Sequence, residues 1–239
     1  MPAVAEALVI NLDRTPARLV ATRASLQGAG FAVERVVAVD ALEEPDADSY
    51  DKRRNARDYF APLKPAEIAC FRSHRRAWRR VLETGRPMLV CEDDVEADAD
   101  LAALVEALEA RLSGAAAVKL YAPRPVLGPF EPLLQRRLIR PRIVPLGCVA
   151  VWLTPEGARG LLARSERFHS PVDVYTQEVW THGVPTWCVS PPPVREVSDR
   201  LGGSTLSPHN VHLAARLSRE VRRPFFRASL ALRSLWETR

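Results

Sequence analysis

The chain predicts a single α/β domain around a mostly parallel, doubly wound central sheet with flanking helices, and three observations carry that expectation. Short apolar runs of strand length, "ALVIN", "MLVC" and "VAVWL", alternate with longer segments of helical period. Helices open on a polar residue followed by proline, as in "TPAR", "KPAE" and "TPEG", and two of them close at glycine. The 239 residues, 47% of them apolar, suffice for an extensive core, and neither a repeat nor a low-complexity linker interrupts them.

Each element follows in order. "EALVIN" is a buried strand, and "TPARLVATRASLQGAG" is a helix with Thr15 as N-cap, Pro16 at its first position and Gly28 or Gly30 as terminator. "FAVERVV" returns as a second strand, which completes a β-α-β unit. Residues 43–63, charged and turn-rich, read as a surface loop or a segment ordered by ligand. The clearest helix runs from Pro65 to Gly85 and sets Glu67, Phe71, His74, Trp78 and Val81 along one seam. "PMLVC" is a strand entering an acidic run, "DADLAALVEALEARL" an amphipathic helix, and "AAVKLYA" a further strand. A proline-punctuated connection over residues 122–145 leads to the strand "GCVAVWL" and to a helix capped by Thr154. "VDVYTQEVWTHG" is a short helix, "VPTWCVSPPPV" a strand, and two basic helices flank Pro224.

The totals exclude several classes. No apolar stretch approaches the roughly 20 residues that span a bilayer, and Glu6 and Asp13 stand where a signal peptide carries positive charge, so a cytoplasmic location is expected. Cys70, Cys91, Cys148 and Cys188 are widely spaced without a C-x-x-C pair and read as free thiols, mostly buried. The net charge is +5, and the basic residues are arginine except Lys52, Lys64 and Lys119; guanidinium forks suit phosphate. Neither a G-x-G-x-x-G nor a Walker loop occurs.

The chemistry concentrates where "MLVC" stops at Glu92, Asp93 and Asp94. Ligands of open α/β sheets bind beyond the carboxyl ends of parallel strands, and Asn11 and Asp13 hold the same position after the first strand. Extended backbone through the triplet sends alternate carboxylates to one side, where they can converge on a hard divalent cation; a solvated loop is the alternative reading. His74 reads either as a core histidine or as a site residue on its seam. His209 and His212, in "SPHNVHL", lack a third ligand and are set aside.

Three ordered blocks, "VINLDRTPAR", "LKPAEIACFRSHRRAW" with "MLVCEDDVEAD", and "VAVWLTPEGARGLL" with "SPVDVYTQEVW" and "VSPPPV", together resemble glycosyltransferase family 25, over residues 7 to 205 or so. The resemblance implies a GT-A fold, a UDP-sugar donor, galactose above all, and transfer with inversion to a lipopolysaccharide, lipooligosaccharide or other surface glycan. It implies that Asp93 and Asp94 hold Mn²⁺ or Mg²⁺, that Glu92 lies near the donor ribose, and that Asn11, Asp13, Arg14, Arg18 and His74 face the donor. The chain departs from the family's usual glycines at Ala66 and Ala69. An inverting transfer needs a carboxylate to take the acceptor proton, for which Asp173 is the first candidate and Asp199 the second. Gly202 and Gly203 beside Asp199 suggest a loop that closes over the donor.

The expected division is a catalytic domain over residues 1–206 and a basic helical extension over 207–239. That extension suits peripheral contact with an anionic membrane that bears a glycolipid acceptor. The competing readings are a metal-dependent phosphohydrolase, which wants more metal ligands, and a non-catalytic nucleotide-sugar binder. A nucleic-acid partner is not expected, because the arginines are dispersed and the acidic triplet repels phosphate.

Overall fold

The structure, a computed structural model, describes residues 5–45, 48–201 and 213–237, with the side chains of the last helix described over 222–234. The expected loop-closing pair Gly202 and Gly203, and His209 and His212, lie outside the described residues.

The first strand β1 (Ala5–Asn11), helix α1 (Pro16–Gly28) and strand β2 (Phe31–Val37) form the expected β-α-β unit, with β1 and β2 parallel and in register from Ala5 opposite Phe31 to Asn11 opposite Val37. A short helix α2 (Lys52–Asp58) follows, then α3 (Pro65–Thr84), β3 (Met88–Glu92), β4 (Val95–Ala97), α4 (Leu101–Glu109) and β5 (Ala117–Lys119). A hairpin of β6 (Phe130–Leu133) and β7 (Arg136–Ile139) precedes β8 (Ala150–Leu153) and α5 (Pro155–Ala163). The chain continues through α6 (Val172–Tyr175), α7 (Val179–His182), β9 (Thr186–Ser190), β10 (Val194–Glu196), a 3₁₀ turn (Ser198–Leu201) and α8 (Leu213–Glu237).

The main sheet has the order β2, β1, β3, β8, β5, β9, β7, β6, and β10 pairs with β4 in a separate ribbon. The sheet is mixed. Its β2-β1-β3 end and the β5-β9 pair are parallel, whereas β8 runs antiparallel to both β3 and β5, and the β6-β7 hairpin adds antiparallel strands at the far edge. Inserting β8 reverses direction in mid-sheet, so only the β2-β1-β3 end has the uninterrupted parallel geometry expected of the whole. Helices α1 and α4 cover one face around Leu26, Leu101, Leu104 and Leu108; α3 and α5 cover the other around Phe71, Trp78, Val81 and Leu161.

Local differences from the sequence expectation have local causes. Residues 43–63 contain α2 because Asp51 caps it, accepting from Arg54 N at 2.9 Å. Glu67 leaves the apolar seam of α3 and turns back to accept from Lys64 N at 2.7 Å, closing the helix start. Thr15 makes no cap bond; its hydroxyl faces Leu12 O and Asp93 instead. The 122–145 connection folds into the β6-β7 hairpin, and "VDVYTQEVWTHG" divides into α6 and α7. Pro224 does not separate two helices but sits inside α8. That helix packs through Phe226 on the residues just after α2, its ring meeting Tyr59 edge-on at 5.2 Å and Phe60 at 5.6 Å.

Candidate functional site

A cavity of about 230 Å³ opens beyond the carboxyl ends of β1, β2 and β3. Its floor is Ile10 and the acidic run Glu92 to Asp94, and its walls come from residues 38–41, from α3 through Cys70, Ser73 and His74, and from Glu196 on β10. The wall after β2 is fixed to α3 in two ways. Ser73 Oγ accepts from Val39 N at 2.8 Å, and Arg76 grips both carboxylate oxygens of Glu44 at 2.9 and 2.7 Å. Helix α3 is in turn held by Phe71, stacked on Phe168 with ring centres 3.9 Å apart.

The acidic run has partners that the sequence reading did not foresee. Arg18, 7% exposed, reaches from α1 and places its guanidinium between two carboxylates: Nε donates to Asp93 Oδ1 and Nη2 to Asp94 Oδ2, each at 2.8 Å. Asp93 Oδ2 also accepts from Asn11 Nδ2 at 2.6 Å and faces the Thr15 hydroxyl at 3.2 Å. Both oxygens of Asp93 therefore carry hydrogen bonds. Asp94 keeps one oxygen free of them, since its Oδ1 is buried without a hydrogen-bond partner. Burial first, and then the charge of Glu92, push the Asp94 carboxyl up to about 6 although Arg18 opposes them. The two carboxylates expected to share a divalent ion both bond Arg18.

The other expected residues divide. Arg14, Arg18, His74 and Glu92 line the cavity, Arg14 in an ion pair with Asp40. Asn11 is buried beneath it and acts by orienting Asp93. Asp13 turns outward to Arg35, away from the cavity, because Arg35 is anchored on Asn11 Oδ1 at 3.1 Å. Neither expected base lines the cavity. Asp173 sits in the first turn of α6 and accepts from Val174 N at 2.8 Å, and Asp199 is exposed on the 3₁₀ turn. Asp173 is still near enough for its charge to act on the Cys70 thiol.

Two lining residues escaped the sequence reading. Glu196 reaches the cavity because β10 pairs with β4, and it accepts from Tyr121 Oη at 3.0 Å and Ser198 Oγ at 2.9 Å. Only the alternation in "PVREVS" hinted at a strand there. Cys70 lies one helical turn before His74, and the i, i+4 spacing was its available signal. Cys70, His74 and Glu92 each offer one ligand atom, all within 4.8 Å of one another. His74, 2% exposed, has Nε2 3.5 Å from Glu92 Oε1 and without a hydrogen bond. As expected, Cys91, Cys148 and Cys188 are buried free thiols.

The cavity is electrostatically lopsided. Five carboxylates (Asp40, Glu92, Asp93, Asp94 and Glu196) face two guanidiniums (Arg14 and Arg18). A diphosphate entering it meets net repulsion unless a cation joins it.

A mixed sheet with helices on both faces, and an acidic, arginine-braced cavity at the ends of its parallel strands, is a Rossmann-like ligand-binding design compatible with a sugar transferase. The chain belongs to glycosyltransferase family 25 (LPS biosynthesis protein), whose family model matches residues 4–123. That segment supplies every wall of the cavity except Glu196. A search of curated proteins gave no match.

Proposed function

We propose that the cavity receives the nucleoside-diphosphate end of a UDP-hexose, galactose first, and that the sugar passes with inversion to a lipopolysaccharide or other surface-glycan acceptor. The observation that carries this reading is the convergence of Glu92, Asp94, Arg14 and Arg18 on one cavity at the carboxyl ends of β1 and β3, within the segment that defines the family. Arg14, half-exposed at the cavity, is the donor nearest to hand for phosphate oxygens, Arg18 holds the acidic run in place, and His74 closes the opposite wall.

A divalent cation in the cavity would neutralise charge that develops on the departing diphosphate. For the Mn²⁺ or Mg²⁺ of the family resemblance, the carboxylate groups not already taken are Glu92 and Asp94 Oδ1. The proton of the acceptor hydroxyl is assigned to Glu196, the lining carboxylate that is paired with neither Arg14, Arg18 nor His74. Asp173 and Asp199 are retained as comparators.

Calorimetry of UDP-galactose and UDP-glucose with Mn²⁺ present and absent tests the reading. Saturable binding that is lost in Glu92→Gln and Asp94→Ala supports it; no nucleotide-sugar binding by folded protein rejects it. Glu196→Gln is expected to lower kcat by about 10²- to 10⁴-fold with donor affinity kept, whereas Asp173→Asn and Asp199→Asn leave kcat within about tenfold.

For the acceptor side, α8 exposes Phe225 and Leu232 among arginines, the composition of a helix that lies on an anionic lipid surface. Among the described residues no helix is long and apolar enough to cross a membrane. Binding to acidic vesicles that persists after removal of residues 214–239 would eliminate that role for the tail.

A further inference from the structure

We propose that the cavity holds a borderline-soft transition metal of the Zn²⁺ class on Cys70 Sγ, a ring nitrogen of His74 and a carboxylate oxygen of Glu92. The chemical role of that metal rests on the donor-cavity reading above, but the site itself does not.

Four observations converge on it. Of the carboxylates first expected to bind metal, Asp93 has both oxygens hydrogen-bonded and Asp94 keeps only Oδ1 without a partner. The three alternative ligands already lie together: tetrahedral zinc with bonds of about 2.0–2.3 Å sets its ligand atoms about 3.3–3.6 Å apart. The His74 to Glu92 separation of 3.5 Å meets that spacing, and the others, within 4.8 Å, need only side-chain adjustment. His74 Nε2 is a buried nitrogen without a hydrogen bond, the condition that a metal bond relieves. Finally, the three ligands line an accessible cavity, so a fourth position stays open to it, as in catalytic rather than structural zinc sites.

The donor set decides the metal class. Thiolate and imidazole select Zn²⁺ or Co²⁺ over Mn²⁺ and Mg²⁺, which prefer oxygen. On binding, the Cys70 S–H bond breaks, its proton passes to buffer, and the sulfur lone pair forms the bond to the metal. Thiolate, carboxylate and a 2+ ion sum to zero, which removes one negative charge from a cavity that carries an excess of them. With a UDP-hexose bound, the open position would face the diphosphate.

The test uses the full-length protein stripped by chelator and titrated with Co²⁺, a spectroscopic stand-in for zinc. The expected result is one Co²⁺ per chain, with an intense thiolate-to-cobalt charge-transfer band in the near ultraviolet that Zn²⁺ abolishes by displacement. About one proton is released per metal near neutral pH. Cys70→Ser is expected to lose the band while keeping its circular dichroism and thermal midpoint. His74→Gln, a second variant of similar shape, is expected to weaken Co²⁺ by about 100-fold or more. Absence of the band in wild-type protein, or an undiminished band in Cys70→Ser, overturns the proposal. So does tight Mn²⁺ binding that Zn²⁺ cannot displace.

Parallel titration of the same samples with UDP-galactose separates the two readings. A band without nucleotide binding upholds the metal site and rejects the donor cavity. Nucleotide binding without the band rejects the metal site and leaves the donor cavity standing.

Discussion

Removing the Arg18 side chain is the sharpest perturbation the structure offers. Arg18→Ala deletes charge-assisted bonds at 2.8 Å to both Asp93 and Asp94 and leaves two carboxylates, 8% and 5% exposed, side by side without a cation. Breaking a buried ion pair by removing one partner costs about 3–5 kcal/mol, the greater part being the unpaired charge left behind. For a domain of this size each kcal/mol moves the thermal midpoint by about 2–4 °C, so the variant is expected to melt about 6–20 °C lower at pH 7.5. Asn11 and Thr15 soften the loss at Asp93, whereas Asp94 Oδ1 already lacks a partner, so the penalty concentrates at Asp94. The assay is urea denaturation of wild type, Arg18→Ala and Arg18→Ala/Asp94→Asn. Restoration of about half the loss in the double variant is expected, since it removes the unpaired charge. An Arg18→Ala variant within about 1 kcal/mol of wild type would refute the reasoning, because it would mean that the guanidinium does not neutralise the acidic run.

Other outcomes follow from single positions. Burial pushes the carboxyls of Glu178 and Asp94 up to about 7 and about 6, so both favour the fold increasingly as pH falls through those values toward the ordinary carboxylate range. Burial pushes His169 and His182 down to about 4, so both oppose the fold as pH falls from 6.5 to about 4; His182 Nδ1 also accepts from Val184 N and is suited to the neutral ring. The pairs oppose one another between pH 7 and 4, and Glu178→Gln is expected to tilt the balance toward loss of stability on acidification relative to wild type, read by urea melts across that range. Gly157→Ala would place a Cβ 2.5 Å from Ala116 O and is expected to cost about 1–3 kcal/mol or more, whereas Gly28→Ala meets no atom within 4 Å and is expected to stabilise by about 0.5–1 kcal/mol; thermal melts of the two show opposite shifts.

What the sequence made legible was what short-range physics controls. The β1-α1-β2 unit, the α3 seam of Phe71, His74, Trp78 and Val81, and the strand that ends at Glu92 could all be read from period and punctuation. The direction of β8 could not, because an apolar run of four residues reads the same in parallel and antiparallel pairing. At the candidate site, residue types at strand ends pointed to the cavity beyond β1 and β3 but not to their partners. Arg18 and Asp93 are 75 residues apart, and nothing local announces that one neutralises the other. Asp13 turns away from the cavity for the same reason, since its orientation depends on Arg35 from the neighbouring strand. Glu196 arrives by a pairing across a hundred residues that no window on the sequence contains.

The β4-β10 ribbon also bears on the order in which the molecule is made. During synthesis the β1-α1-β2 unit can form as soon as its own residues emerge, because its contacts are local. The ribbon cannot, since Val95 must wait for Glu196. Until that late segment arrives, the acidic floor stands uncovered on a nascent chain whose sheet is half assembled, with β3 still lacking its β8 neighbour. The last-made strand thus works as a clasp: the cavity acquires its final wall only once nearly the whole fold is in place, and a ribosome-bound fragment that ends before residue 196 carries an open floor rather than a working cleft.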